Sequence, residues 1–147
     1  MEKGINPMFE YLTTQFDIQE VDLKTYSPLT LAYIGDGIYE LIVRTILVKR
    51  KNCPTHKLHN QASQLVKAAT QSAIIHELLP DLTPEELAIY KRGRNAKSVT
   101  MAKNASMGDY RRATGFEALM GYLYLNNETD RVIDLIKIGL KRIEVQI

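Results

Sequence analysis

Two carboxylates stand where a carboxylate is costly. Asp36 lies between Gly35 and Gly37 inside a long apolar pattern running from Leu29 to Val48. Glu117 is the one acid of the run ATGFEALMGYLYL, and Gly121 follows it by one turn. Asp is a weak helix former, and each Gly in a helix interior costs about 1 kcal/mol relative to Ala. Two glycines around a mid-helix aspartate imply that another helix or a ligand approaches the backbone closely there. A buried acid must be paired, protonated or bound to a cation. If the two glycine-flanked faces cross, Asp36 and Glu117 meet. Two carboxylates with no His or Cys beside them favour a hard cation such as Mg²⁺. That ion keeps several waters, and one of them can become a nucleophile. The bland alternative is a pair of carboxylates satisfied by Arg111, Arg112 or a helix end, and for either acid taken alone it suffices.

The elements that must position these residues are helical almost throughout. Met8, Tyr11, Leu12 and Phe16 fit a short first helix. Ser27-Pro28 is a cap followed by proline at the first helical position, opening the Leu29–Val48 helix. Within it Asp36, Glu40 and Arg44 share a face by their i, i+4, i+8 spacing, and a Glu40–Arg44 pair is worth about 0.2–0.5 kcal/mol. Thr55 opens a third helix expected to run to about Leu79, with Leu58, Ala62, Leu65, Val66, Ala69, Ala73 and Ile74 buried. Thr83-Pro84-Glu85-Glu86 is a capped helix start, and that helix is expected to dissolve at Gly93. Asp109 or Tyr110 opens the Glu117 helix, broken at Asn126-Asn127. Glu128 begins a last amphipathic helix through Val132, Leu135, Ile136, Leu140 and Ile143. No segment sustains strand alternation. The expected fold class is all-α, in one domain over residues 1–147.

Charge is uneven along the chain. The 147 residues carry a formal net charge of +2, yet residues 91–112 alone carry +6. Their cations are Lys91, Arg92, Arg94, Lys97, Lys103, Arg111 and Arg112, against Asp109. A second basic stretch runs from Arg44 to Lys57 without an acid. Segregated basic charge is the footprint of a polyanion partner, although many such runs are simply solvated surface. The single cysteine, Cys53, excludes an internal disulfide and a cysteine-based zinc site, and no base is visible that would make it a nucleophile. No apolar run approaches the roughly 20 residues needed to span a bilayer, and no secretory leader is visible. The expected location is the cytoplasm. His56 and His59 share a helix face but have no evident third ligand.

The segments that carry the two acids also carry a resemblance. LTLAYIGDGIYEL resembles the signature helix of the ribonuclease III family, and ATGFEALMGYLYL resembles that family's second catalytic helix. KRGRNAKS and YRRATGFEALMGYLYL together resemble the Mini-III branch, whose members lack a double-stranded-RNA-binding domain. Ala102-Lys103-Asn104 stands where that branch has a Pro-Lys-Asn element, and His56-Lys57-Leu58-His59 also resembles it. The likeness covers roughly Leu29 to Leu125. It implies that Asp36 and Glu117 are the catalytic acids and hold Mg²⁺. Full-length members of the family have two further acids, at positions occupied here by Ala32 and Thr114, and the Mini-III branch lacks them too. Gly37 stands where the family usually has Ala.

The resemblance further implies a homodimer, with signature helices packed across a two-fold axis through Leu31, Ile34, Ile38 and Leu41. Each site would cut one strand of duplex RNA to leave 5′-phosphate and 3′-hydroxyl ends. The implied substrate is the paired stem flanking precursor 23S ribosomal RNA, with a large-subunit ribosomal protein as a helper. Duplex RNA is read mostly by shape, phosphates and 2′-hydroxyls. Lys91, Arg92, Arg94, Asn95, Lys97, Lys103, Arg111, Arg112, His56 and Lys57 are the candidates for those contacts, and Gly93 is expected to give the loop room to enter a groove. Two rivals remain at this point: a non-catalytic RNA-binding or ribosome-associated module on the same fold, and a helical interaction domain with no nucleic-acid role.

Overall fold

The structure is a computed structural model that describes residues 6–97 and 106–147. Among the described residues it holds seven α-helices and no strand: α1 (Pro7–Gln15), α2 (Pro28–Arg50), α3 (Thr55–Val66), α4 (Ala68–Leu78), α5 (Pro84–Asn95), α6 (Met107–Leu125) and α7 (Thr129–Arg142). The all-α expectation holds. Local chemistry accounts for most helix starts. Ser27 accepts from the Leu29 amide with Pro28 in the first turn. Thr83 and Glu86 form a reciprocal capping box ahead of α5. Ser106 caps α6 through the Asp109 amide, three residues before the expected start.

The core is assembled around α6. It packs most extensively against α2, then α5 and α4, while α3 lies on α2 and α7 on α4. Helix α6 is buried nearly all round, as a central helix must be. Tyr39, Phe116, Leu31, Ile74, Leu119 and Leu123 are among the fully buried side chains. Tyr39 and Phe116 meet edge to face at 5.3 Å, and the Tyr39 hydroxyl donates to the Leu65 carbonyl at 2.7 Å. That pair locks α2 to both α6 and α3. Helix α1 contributes no buried residue; it is tied on by an edge-to-face contact of Phe9 with Tyr124 at 5.4 Å.

Three sequence expectations are corrected by the packing. The expected third helix is two helices, broken at Lys67, whose ψ of 154° is extended. The break advances the helical phase, so Gln71 and Ser72 are buried while Ala69 and Ala73 face solvent. Side chains beyond the break replace the lost helical bonds: Thr70 Oγ1 donates to the Gln64 carbonyl and Gln71 Nε2 to the Val66 carbonyl. Second, α5 does not end at Gly93 but continues to Asn95. Gly93 is buried against α6, where an added Cβ would lie 2.8 Å from the Ala118 Cβ and 2.9 Å from the Gly115 Cα. This glycine permits a helix crossing and does not open a loop. Third, Leu31 is fully buried inside the chain, so it belongs to the internal core and not to an outward face. The same stripe leaves Leu41 exposed, with Ile34 and Ile38 half-buried, and Tyr33 is exposed farther round the helix.

Candidate active site

The α2–α6 crossing explains the glycines. A Cβ on Gly35 would collide with the backbone carbonyl oxygen of Glu117, and one on Gly121 with that of Leu31. Each helix therefore offers a glycine to the other's backbone, and the two axes approach more closely than side chains would allow. Gly37 is different, because a Cβ there meets nothing within 4 Å among the described residues. The close approach of another helix inferred from sequence is found at Gly35, and among the described residues no helix makes it at Gly37.

This crossing brings the two acids together. Asp36 is exposed on α2, Glu117 is half-buried on α6, and the two carboxyls share a hydrogen bond. Burial first, then the hydrogen bond and the negative charge of Asp36, push the Glu117 carboxyl up to about 8, while the Gln71 amide works in the opposite direction. Two carboxyls held this close favour sharing a proton or a cation. Sequence reasoning missed Gln71 because a single unbroken helix placed Ala69 and Ala73, not Gln71, on the buried side. The signal was a Thr-Gln pair able to serve carbonyls at a helix break. Ala32 and Thr114 are both buried, and the Thr114 hydroxyl donates to the Tyr110 carbonyl within its own helix. No group of three or more His, Cys, Asp or Glu side chains converges among the described residues. The donor set at this crossing is two carboxylates, hard oxygen ligands of the kind that suit a strongly hydrated divalent cation.

The basic residues divide by what they touch. Lys91, Arg92, Asn95 and Lys97 are exposed at the end of α5 and just beyond, and His56 and Lys57 are exposed at the start of α3. Arg92 also donates to the Tyr26 carbonyl at 3.2 Å. Arg94 stacks over the Tyr90 ring at 5.6 Å and donates to the Asn95 side chain. Arg112 is tied inward: its Nε donates to Ser72 Oγ at 2.7 Å and it pairs with Asp109 at 3.2 Å. Arg111 is exposed. Neither arginine is among the groups that shift Glu117, so the bland pairing of that acid with Arg111 or Arg112 is not what its surroundings provide. Glu40 pairs with Arg44 at 2.8 Å, as its spacing implied. Lys103, with the Ala102–Asn104 element, lies outside the described residues.

Known proteins are similar to this chain. The model of the Ribonuclease III domain matches residues 29–128, a span that includes both acids and both crossing helices. The chain belongs to the ribonuclease III family. Within that family it is similar to Mini-ribonuclease 3 of Clostridium tetani, 50% identical over 124 residues, 84% of this chain and 82% of that one. Mini-ribonuclease 3 of a Thermoanaerobacter species is 44% identical over 144 residues, 98% of this chain and 99% of that one. A crystal structure of a Fusobacterium nucleatum protein superposes with a TM-score of 0.75 at 31% identity, covering 83% of this chain and 98% of that one. The chain is therefore an endoribonuclease of the ribonuclease III family, of the Mini-III kind. That family acts on double-stranded RNA, and its members are generally divalent-metal dependent. Among the described residues no helix is long and apolar enough to cross a membrane.

Proposed function

We propose that this ribonuclease III enzyme cleaves double-stranded RNA with Mg²⁺ held by Asp36 and Glu117. The observation that carries the reading is the meeting of those two carboxyls where α2 and α6 cross on glycine. A bound divalent cation there supplies charge neutralisation at the scissile phosphate and a water activated for attack. The chain's own contributions are distinct from that. The glycine crossing sets the separation of the two acids, and burial keeps water from much of the Glu117 carboxyl. The exposed cations Lys91, Arg92 and Lys97, with His56 and Lys57, supply phosphate contacts that hold a duplex over the site.

The natural substrate in this reading is the paired stem flanking precursor 23S ribosomal RNA, cut to 5′-phosphate and 3′-hydroxyl ends in the cytoplasm, with a large-subunit ribosomal protein as helper. Two copies of the chain act together, each cutting one strand, joined through the outward stripe of α2 that carries Ile34, Ile38 and Leu41. Incubation of a long duplex RNA with wild type and Asp36→Asn, in Mg²⁺ and in chelator, tests the core of this reading. Cuts that need Mg²⁺ and vanish in Asp36→Asn, with RNA binding retained, are expected. Cuts that persist in chelator, or in Asp36→Asn, overturn it. Binding by both proteins with no cleavage by either points to the non-catalytic module or to a missing ribosomal helper.

A further inference from the structure

Gln71 occupies a position where a hydrocarbon side chain costs less. It is 2% exposed, in the first turn of α4, and faces the inner side of the two-carboxylate site. Its Nε2 donates to the Val66 carbonyl at 2.7 Å and reaches Glu117 Oε2 at 3.5 Å. Its Oε1 is buried and has no hydrogen-bond partner among the described residues. A buried polar atom left unpaired costs about 1–3 kcal/mol. Closing the α3–α4 break does not require that cost, because the neighbouring Thr70 serves the Gln64 carbonyl with a hydroxyl alone. What a primary amide adds is a second N–H on the same nitrogen, and the acceptor within its reach is Glu117. The 3.5 Å separation is at the outer edge of hydrogen-bond range, where catalytic contacts in unliganded enzymes commonly sit before they tighten.

We infer that Gln71 is a positioning residue of the nuclease centre, orienting the Glu117 carboxylate through Oε2 so that its other oxygen is free for the cation shared with Asp36. The inference rests on the proposed cation-holding role of Asp36 and Glu117. Partners of metal-ligating carboxylates set ligand orientation, and losing one typically costs 10–100-fold in metal affinity or activity. Gln71 is suited to this work because an amide donates to a carboxylate without bringing charge of its own.

Mn²⁺ binding followed by electron paramagnetic resonance, without RNA, gives a readout separate from turnover. The proteins compared are wild type, Gln71→Met, Glu117→Gln and the double variant. Methionine keeps the length and the buried volume and removes both donors. Gln71→Met is expected to bind Mn²⁺ at least about tenfold more weakly and to lower kcat by a similar factor, with KM for duplex RNA unchanged. In the Glu117→Gln background the same substitution is expected to add no further loss, because the effect runs through Glu117. A Gln71→Met protein that melts at lower temperature yet binds Mn²⁺ and turns over like wild type reduces Gln71 to a helix cap and overturns the inference. An equal loss in both backgrounds overturns the route through Glu117. Wild type that binds no Mn²⁺ overturns the underlying cation reading, and the positioning role with it. If Gln71→Met does not fold, the wild-type protein still decides. Added Mg²⁺ should shift the Gln71 side-chain amide resonance in wild type and not in Glu117→Gln, and a resonance that stays in place overturns the inference.

Discussion

At Glu117, burial and the Asp36 carboxylate both oppose ionisation, and the Gln71 amide only partly offsets them. The carboxyl stands at about 8 in the folded protein, against roughly 4.3 in an unfolded chain. Between those values the folded protein binds a proton that the unfolded chain releases, so stability falls as pH rises through that window and levels off above it. In chelator, the melting temperature should therefore decline between pH 5 and pH 8. Glu117→Gln should remove this component of the slope, and thermal melts across that range check it. A cation must displace the same proton. Mn²⁺ affinity should then strengthen by up to about tenfold per pH unit and flatten above pH 8. Affinity that is constant over the same range would mean that Glu117 is not a ligand. The sequence marked both acids as anomalous and brought them together on the condition that their helices cross, but it carried no distances. The glycines marked where they lie, and the fold determined that they touch.

At the scale of the element, the α2–α6 crossing is the feature on which the site depends. Gly35 and Gly121 admit backbone to backbone, so an added methyl has no flexible side chain to push aside. Gly35→Ala should cost more than about 3 kcal/mol or abolish folding, well beyond an ordinary surface substitution. Gly37→Ala, two residues along and facing open space among the described residues, should instead stabilise by about 0.5–1 kcal/mol, because Ala restores helix propensity without a clash. Urea unfolding of the two variants checks the pair, and equal effects would contradict the asymmetry of the crossing. Long patterns with caps were legible: Ser27-Pro28 and the Thr83–Glu86 box give α2 and α5 starts where the sequence places them. The break at Lys67 was not, because no Gly or Pro marks it. The bonds that compensate it run from Thr70 and Gln71 side chains to carbonyls of the preceding helix, a three-dimensional arrangement that apolar periodicity does not report. Gly93 shows the same limit from the other side. A glycine near a helix end reads as a stop, but here its small size serves a crossing with α6.

For the whole molecule, the unresolved balance is between surface that is apolar and surface that is charged. The stripe of α2 at the edge of the core presents Leu41 to solvent, with Ile34 and Ile38 half-covered beside it, and Tyr33 is exposed farther round the same helix. Large apolar side chains grouped on one face of a helix point to association more readily than to solvation. A second copy placed there by a two-fold axis would bury this stripe against itself, and the exposed Asp36 lies on the same helix. Removing Leu31 from the expected contact set narrows the face without moving it, since Ile34, Ile38 and Leu41 remain on one stripe. Leu41→Glu sets like charges against each other across such an axis, so each protomer should stay folded while the pair separates. Sedimentation velocity should show wild type at twice the chain mass and Leu41→Glu at the chain mass, with matching melting behaviour at high dilution. If each protomer cuts one strand, the separated protein should also nick a duplex where wild type cuts both strands at one place. A Leu41→Glu protein that still sediments as a pair, or that still makes paired cuts as a monomer, would move the association to another surface or remove it from the mechanism.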